Sequence, residues 1–141
     1  MSNYKFLSDN FLAFAHRGGN DFAPENSLKS FMRAYEIGYK YLETDVHLSK
    51  DGYLVAFHDE SLDRVTNKSG LIKDLNLNEI KRAKINNTEE IPLLIDLLEN
   101  LPDCFFNIDC KSDDTVLPLI NLIKKYSLLK RVCIGSFSQK R

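Results

Sequence analysis

Apolar residues follow two rhythms along this chain, short unbroken runs and stretches spaced by three and four, and the two alternate. Residues 11–15 (Phe-Leu-Ala-Phe-Ala) form an unbroken run, the pattern of a strand buried on both faces. After a turn-rich stretch through Pro24, Leu28, Phe31, Met32 and Tyr35 recur at i, i+3, i+4 and i+7, which predicts a helix with Asn26 as its cap and Gly38 as its stop. Strand-like runs over 41–48 and 54–57 flank Lys50-Asp51-Gly52, and Asp-Gly in that setting is a two-residue hairpin signal. A helix is expected over 77–84, opened by an Asn76/Glu79 capping box. Another is expected over 92–101, with Pro92 first and Ile91, Leu94, Ile95 and Leu98 on one face. Residues 104–110 read as a strand, 114–126 as a helix with Pro118 confined to its first turn, and 131–137 as a last strand.

With the hairpin set aside as an excursion, the order is strand, helix, strand, helix, strand, helix, strand. Such alternation implies an α/β fold with parallel strands joined by crossover helices. Four such strands are half of a TIM-type (β/α)8 barrel, which typically needs ~250 residues. The expected organisation is a lead-in over 1–10 and one domain over 11–141, incomplete at its C-terminus. Half a barrel leaves two strand edges and an apolar interior uncovered, so self-association through those edges is expected.

Composition changes this picture little. The chain has 141 residues, 43% hydrophobic and 28% charged, with net charge −1, which offers no footprint for nucleic acid or an anionic membrane. An anionic ligand must therefore be caught by a local site. Cys104, Cys110 and Cys133 form no CxxC pair and read as reduced, buried, small apolar residues. The apolar stretch 11–15 is far too short for a signal-peptide core or a membrane span, and a cytoplasmic protein is expected.

Polar residues gather where such a barrel keeps its reactive groups, at the C-terminal ends of strands. His16-Arg17-Gly18-Gly19 follows the first apolar run. Glu43 and Asp45, two apart on the second strand, share a face. His58-Asp59 ends the run 54–57, and Asp109 and Lys111, again two apart, end 105–108. A two-residue Asp51-Gly52 turn would place Asp45 directly opposite His58. Three carboxylates make an all-oxygen site suited to one hard divalent cation, Mg²⁺ or Ca²⁺. Two histidines beside it can act as general base and general acid, and Arg17 and Lys111 can neutralise an anion that the metal also grips. That combination describes phosphoryl-ester cleavage. His47 shares the face of Glu43 and Asp45 but reads as a structural residue, Asp59 as a loop hydrogen-bond acceptor, and Lys124, Lys125, Lys130 and Arg131 as a solvated helix end.

His16-Arg17-Gly18, Ala23-Pro-Glu-Asn-Ser27, Glu43-Thr-Asp45-Val-His-Leu-Ser-Lys-Asp-Gly52 and Val55-Ala-Phe-His-Asp59 resemble, in order, the motifs of the glycerophosphodiester phosphodiesterase family. Leu62-Asp-Arg-Val-Thr66, Gly70, Ile91-Pro92, Asn107-Ile-Asp-Cys-Lys111 and Ser136-Phe137 continue the series to the chain's end. The resemblance implies that His16 and His58 are the catalytic pair and that Glu43, Asp45 and Asp109 hold the metal. It also implies that Arg17 and Lys111 contact the phosphate. The implied activity is metal-dependent hydrolysis of small glycerophosphodiesters to sn-glycerol 3-phosphate and an alcohol, within lipid and glycerol metabolism. The nucleophile is either water or the substrate's own neighbouring hydroxyl.

There are departures. The family often has Glu where Asp109 stands, Thr where Ser27 stands and a capping Thr where Leu93 stands, and strands five to eight are absent. The rival expectation is an inactive fragment or half-barrel that needs a partner or a C-terminal half.

Overall fold

The structure is a computed structural model that describes residues 12–138. The lead-in over 1–10, Phe11 and the last three residues lie outside the described part. Four strands run parallel in the order β1 (Phe14–His16), β2 (Tyr41–Leu48), β6 (Phe105–Cys110), β7 (Val132–Gly135), each paired with the next. Sequence neighbours are therefore sheet neighbours, as in the first half of a (β/α)8 barrel. Among the described residues, β1 pairs only with β2 and β7 only with β6.

Three helices cover one face of this sheet: α1 (Leu28–Ile37), α3 (Leu94–Asn100) and α4 (Val116–Lys125). Phe31 and Ala34 of α1, Leu94, Leu97 and Leu98 of α3, and Leu119 and Ile123 of α4 pack on Leu42, Val46, Phe106 and Ile108 in one buried cluster. The rings of Phe31 and Phe106 meet at 6.1 Å. Cys104 and Cys110 are buried as expected, whereas Cys133 is exposed. Cys133 pairs with Asn107, and so falls in the alternate set of strand residues that faces away from the helices. No helix of the described residues is long and apolar enough to cross a membrane.

Local chemistry differs from the sequence reading at several points. The cap of α1 is Ser27, whose side chain accepts from Ser30 N–H at 3.1 Å, while Asn26 sits one residue earlier with φ 55 and a buried side chain. The Asn76/Glu79 box forms, with the Glu79 carboxylate accepting from Asn76 N–H at 2.9 Å, but α2 spans only Leu77–Ile80. Residue 84 instead opens β4 (Lys84–Ile85), paired with β5 (Glu89–Glu90), a small hairpin that periodicity did not reveal. Leu93 precedes α3 without any side-chain cap bond. Arg131 is no solvated helix end. It donates to the carbonyls of Leu98, Leu101 and Cys104 (2.7–3.2 Å), tying the end of α3 to the turn before β6.

The hairpin after β2 also departs by one residue. Val46, His47 and Leu48 pair with Ala56, Val55 and Leu54 of β3 (Leu54–Ala56), so Asp45 lies opposite Phe57, not His58. Ser49 and Tyr53 close the loop, with Ser49 N–H donating to Tyr53 O at 2.9 Å and three residues between them. Ser49 Oγ also donates to Asp51 (2.8 Å) and accepts from Tyr53 N–H (2.9 Å), and Gly52 takes φ 88. This is a three-residue loop ending in a left-handed glycine. The excursion it opens has its own core of Val55, Phe57, Leu62, Ile72, Ile80, Ala83, Ile85 and Ile91.

Two glycines separate backbone strain from crowding. Gly52 has nothing within 4 Å of where a Cβ would stand, whereas a Cβ on Gly18 (φ 78) would lie 2.3 Å from Ser30 Oγ and 2.9 Å from Phe31 N. Gly52→Ala is expected to lose only left-handed strain, about 1–2 kcal/mol. Gly18→Ala should lose that plus ~1–3 kcal/mol of overpacking. Urea unfolding of the two variants measures the difference, and equal losses would mean that the β1–α1 turn has room to give.

Candidate active site

At the C-terminal ends of the parallel strands lies an open cleft of about 400 Å³, lined by His16, Arg17, Glu43, Asp45, His58, Asn107, Asp109, Lys111, Gly135, Ser136 and Phe137. The register explains the convergence. His16, Glu43 and Asn107 form one row across β1, β2 and β6, and Asp45, Asp109 and Gly135 form the row above it on β2, β6 and β7. One row below, the rings of Phe14, Tyr41 and Phe105 stand 5.4 and 5.2 Å apart and floor the site.

The upper row sets two buried carboxylates side by side. Lys111 answers this with Nζ 2.8 Å from Asp45 Oδ1 and 2.6 Å from Asp109 Oδ2. Burial alone would pull the Lys111 ammonium down, but its bonds to Asp109 and Asp45 prevail and raise its pKa. Asp45 Oδ2 accepts from Asn26 Nδ2 at 3.0 Å, and Asn26 in turn accepts from Thr44 Oγ1 at 2.9 Å. Arg17 Nε lies 3.4 Å from Asp45 Oδ2 without hydrogen-bond alignment, and the Arg17 N–H donates to Glu43 Oε2 at 3.0 Å. Burial, and then the charge of Asp45, push Glu43 up to about 7 against the opposing pull of Arg17 and Lys111. His16 Nε2 is 3.8 Å from Glu43 and the His16 side chain is largely exposed.

His58 follows the end of β3 and is tied from two sides. His47, buried beneath it, donates from Nε2 to the His58 carbonyl at 3.0 Å; a carbonyl can only accept, so that nitrogen carries the proton. Burial lowers the His47 pKa, which fits a neutral structural ring. His58 Nδ1 lies 2.6 Å from Asp59 Oδ1, and Asp59 receives Arg64 through both oxygens (2.5 and 3.1 Å). Arg64 holds Asp59 down at about 2.

The seven residues singled out in the sequence, His16, Arg17, Glu43, Asp45, His58, Asp109 and Lys111, all line the one cleft. Asn26, read as a helix cap, is instead a brace for Asp45. Asn107 was missed as a site residue although its spacing of two from Asp109 marked it. Glu25, which the sequence offers with Asn26 as an organiser of the loop after the first strand, meets Arg64 at 2.6 Å, and Arg64 carried no signal that periodicity could expose.

Among the described residues, no three His, Cys, Asp or Glu side chains are gathered into a ready metal cage. The donor chemistry nevertheless fits a divalent cation. Glu43, Asp45 and Asp109 offer hard oxygens. Asp109 Oδ1 is buried with no hydrogen-bond partner, and burial and the charge of Asp45 push Glu43 toward the neutral acid.

A profile of the Glycerophosphoryl diester phosphodiesterase family matches residues 16–141. The chain is 39% identical over 131 residues to the probable glycerophosphodiester phosphodiesterase 2 of Mycobacterium tuberculosis, covering 92% of this chain and 50% of that protein. It is 41% identical over 141 residues to the glycerophosphodiester phosphodiesterase of Caldanaerobacter subterraneus, covering 90% and 58%. Among solved structures, the glycerophosphodiester phosphodiesterase of Agrobacterium tumefaciens aligns with TM-score 0.85 at 31% identity, over 93% of this chain and 60% of that one. A phosphodiesterase of Oleispira antarctica, solved with the product sn-glycerol-3-phosphate, aligns with TM-score 0.85 at 31% identity over 96% and 60%. The chain spans about half the length of the curated relatives it matches. Its four parallel strands are thus a part of that barrel, and the chain belongs to the glycerophosphoryl diester phosphodiesterase family.

Proposed function

We propose that this chain carries the reactive half of a metal-dependent glycerophosphodiester phosphodiesterase, which releases sn-glycerol 3-phosphate and an alcohol in lipid and glycerol metabolism. The observation that carries this reading is the convergence of two histidines, three carboxylates, an arginine and a lysine in one cleft. The product seen in the Oleispira phosphodiesterase is of the same chemistry.

In the proposed roles, Glu43, Asp45 and Asp109 hold one Mg²⁺ or Ca²⁺. Such an ion supplies Lewis-acid charge to the phosphoryl oxygens. Arg17 and Lys111 bring fixed positive charge to the phosphate, where it stabilises charge that grows in the transition state. His16 and His58 divide the proton work: one removes a proton from the attacking oxygen and the other protonates the leaving alkoxide as the P–O bond breaks. The attacking oxygen is either water or the neighbouring substrate hydroxyl, and both balance to diester plus water giving monoester plus alcohol. Asp109 is one methylene shorter than Glu, and Lys111 Nζ bridges it to Asp45, 2.6 Å from Asp109 Oδ2 and 2.8 Å from Asp45 Oδ1. We propose a cytoplasmic location; among the described residues no helix is long and apolar enough to cross a membrane.

A second reading is favoured by β1 and β7 each pairing with a single strand among the described residues. In it the chain self-associates, or requires a partner to complete the barrel before it turns over. Light scattering on the purified chain, beside an assay of glycerophosphocholine hydrolysis, separates the readings: an active monomer defeats the second, and an inert oligomer supports it.

Chelation with EDTA should abolish glycerophosphocholine or glycerophosphoethanolamine hydrolysis, and Mg²⁺ or Ca²⁺ should restore it. Full turnover after thorough chelation would sink the metal assignment. His16→Ala and His58→Ala should each lower kcat ~10²–10⁴-fold with the fold intact by circular dichroism. His47→Ala should cost turnover far less; an equal loss there would mean that the proton work is misassigned.

A further inference from the structure

We propose that Arg64 is a positioning residue that braces His58 and Arg17 together through two carboxylates. This inference rests on the phosphodiesterase reading for its kinetic consequence, but not for its geometry.

Arg64 leaves the loop after β3, outside the cleft. Its guanidinium spans two acids at once. Nε and Nη2 reach Asp59 Oδ2 and Oδ1 at 2.5 and 3.1 Å, and Nη2 and Nη1 reach Glu25 Oε1 and Oε2 at 2.6 and 3.4 Å. Each acid then holds one cleft residue, Asp59 Oδ1 at 2.6 Å from His58 Nδ1 and Glu25 Oε1 at 3.3 Å from Arg17 Nη1. A lone exposed ion pair contributes little, but a planar fork joined to two carboxylates is a network with fixed geometry.

The loop beneath Arg64 is itself anchored. Leu62 is buried in the excursion core, with its N–H bonded to Gly70 O at 3.0 Å, and Thr66 Oγ1 donates to Leu62 O at 2.8 Å. The Arg64 backbone is thus held between fixed points, and a half-exposed side chain gains order from its partners.

The consequence for His58 is a matter of tautomer. Asp59, kept ionised by Arg64, can only accept, so the proton of a neutral His58 ring stays on Nδ1. That leaves Nε2 as the nitrogen able to take or give a proton in the cleft. The consequence for Arg17 is direction: Glu25 steers the far end of its guanidinium while its N–H holds Glu43.

The test uses Arg64→Ala, Arg64→Lys and, as a control for loss of an ordinary surface pair, Lys84→Ala, whose ammonium meets Glu90 at 2.8 Å far from the cleft. Long-range ¹⁵N–¹H spectra of the labelled chain read the His58 tautomer without any substrate. Arg64→Ala should populate the Nε2–H form, and Arg64→Lys, which keeps charge but not the fork, should fall between. In the assay, Arg64→Ala should lower kcat through His58 and raise KM through Arg17, each on the order of 10–100-fold, as losses of such supporting partners do. An Arg64→Ala spectrum identical to that of Lys84→Ala would overturn the proposal. An unmodified chain inert toward the diester would bear on the proposed function alone, since the spectra still decide whether Arg64 orients His58. Should Arg64→Ala fail to fold, Asp59→Asn and Arg64→Lys read the same tautomer, and unchanged spectra in both would overturn it.

Discussion

Two carboxylates that cannot move apart govern this molecule. Asp45 and Asp109 are direct neighbours across parallel strands, both buried, and the backbone ladder that pairs them is also the centre of the core. Their repulsion in a low-dielectric setting must be met on the spot. Lys111, Asn26 and Arg17 each stand where they meet part of it. The β1–α1 loop is shaped to bring two of the three: Arg17 and Asn26 both take positive φ, and Gly18 lets the chain press against Ser30 and Phe31. Non-glycine residues held in that region store strain, which such sites offset elsewhere. The offset here is a buried aspartate with its acceptors answered.

Most of this was legible in the residues. Strand-end polar groups at spacings of two survive any small error in an element's boundary, because alternation keeps them on one face. The parallel order followed from alternating periodicities alone. What misled was local. Asp51-Gly52 satisfies a two-residue turn rule, yet Ser49 uses its hydroxyl on both Asp51 and the Tyr53 amide and so stabilises a longer loop. Asn26 and Ser27 are equally good caps on paper. Only the buried demand of Asp45 decides between them, and that demand comes from a strand far off in sequence.

The one-residue slip was harmless to the site for a physical reason. A register error moves every paired side chain to the other face, but His58 lies beyond the last paired residue of β3. Its direction is therefore set by contacts rather than by pleat, namely the His47 ring on its carbonyl and Asp59 on its imidazole. Sequence periodicity has no access to such contacts.

The two histidines consequently belong to different parts of the molecule. His16 closes a strand of the barrel sheet, backed by the main core, while His58 belongs to an excursion with a core of its own. The β2–β3 pairing joins these parts at the strands. Beyond the paired residues, a chain of charges, Arg17–Glu25–Arg64–Asp59–His58, runs between them. Hydrophobic packing fixes each part separately but is indifferent to a small rotation of one against the other. Directional charge-assisted bonds are not indifferent. In the proposed reaction, proton transfer between two side chains and a bound phosphate would need their spacing held closely. In this arrangement the cores supply stability, and the charged chain between them supplies alignment.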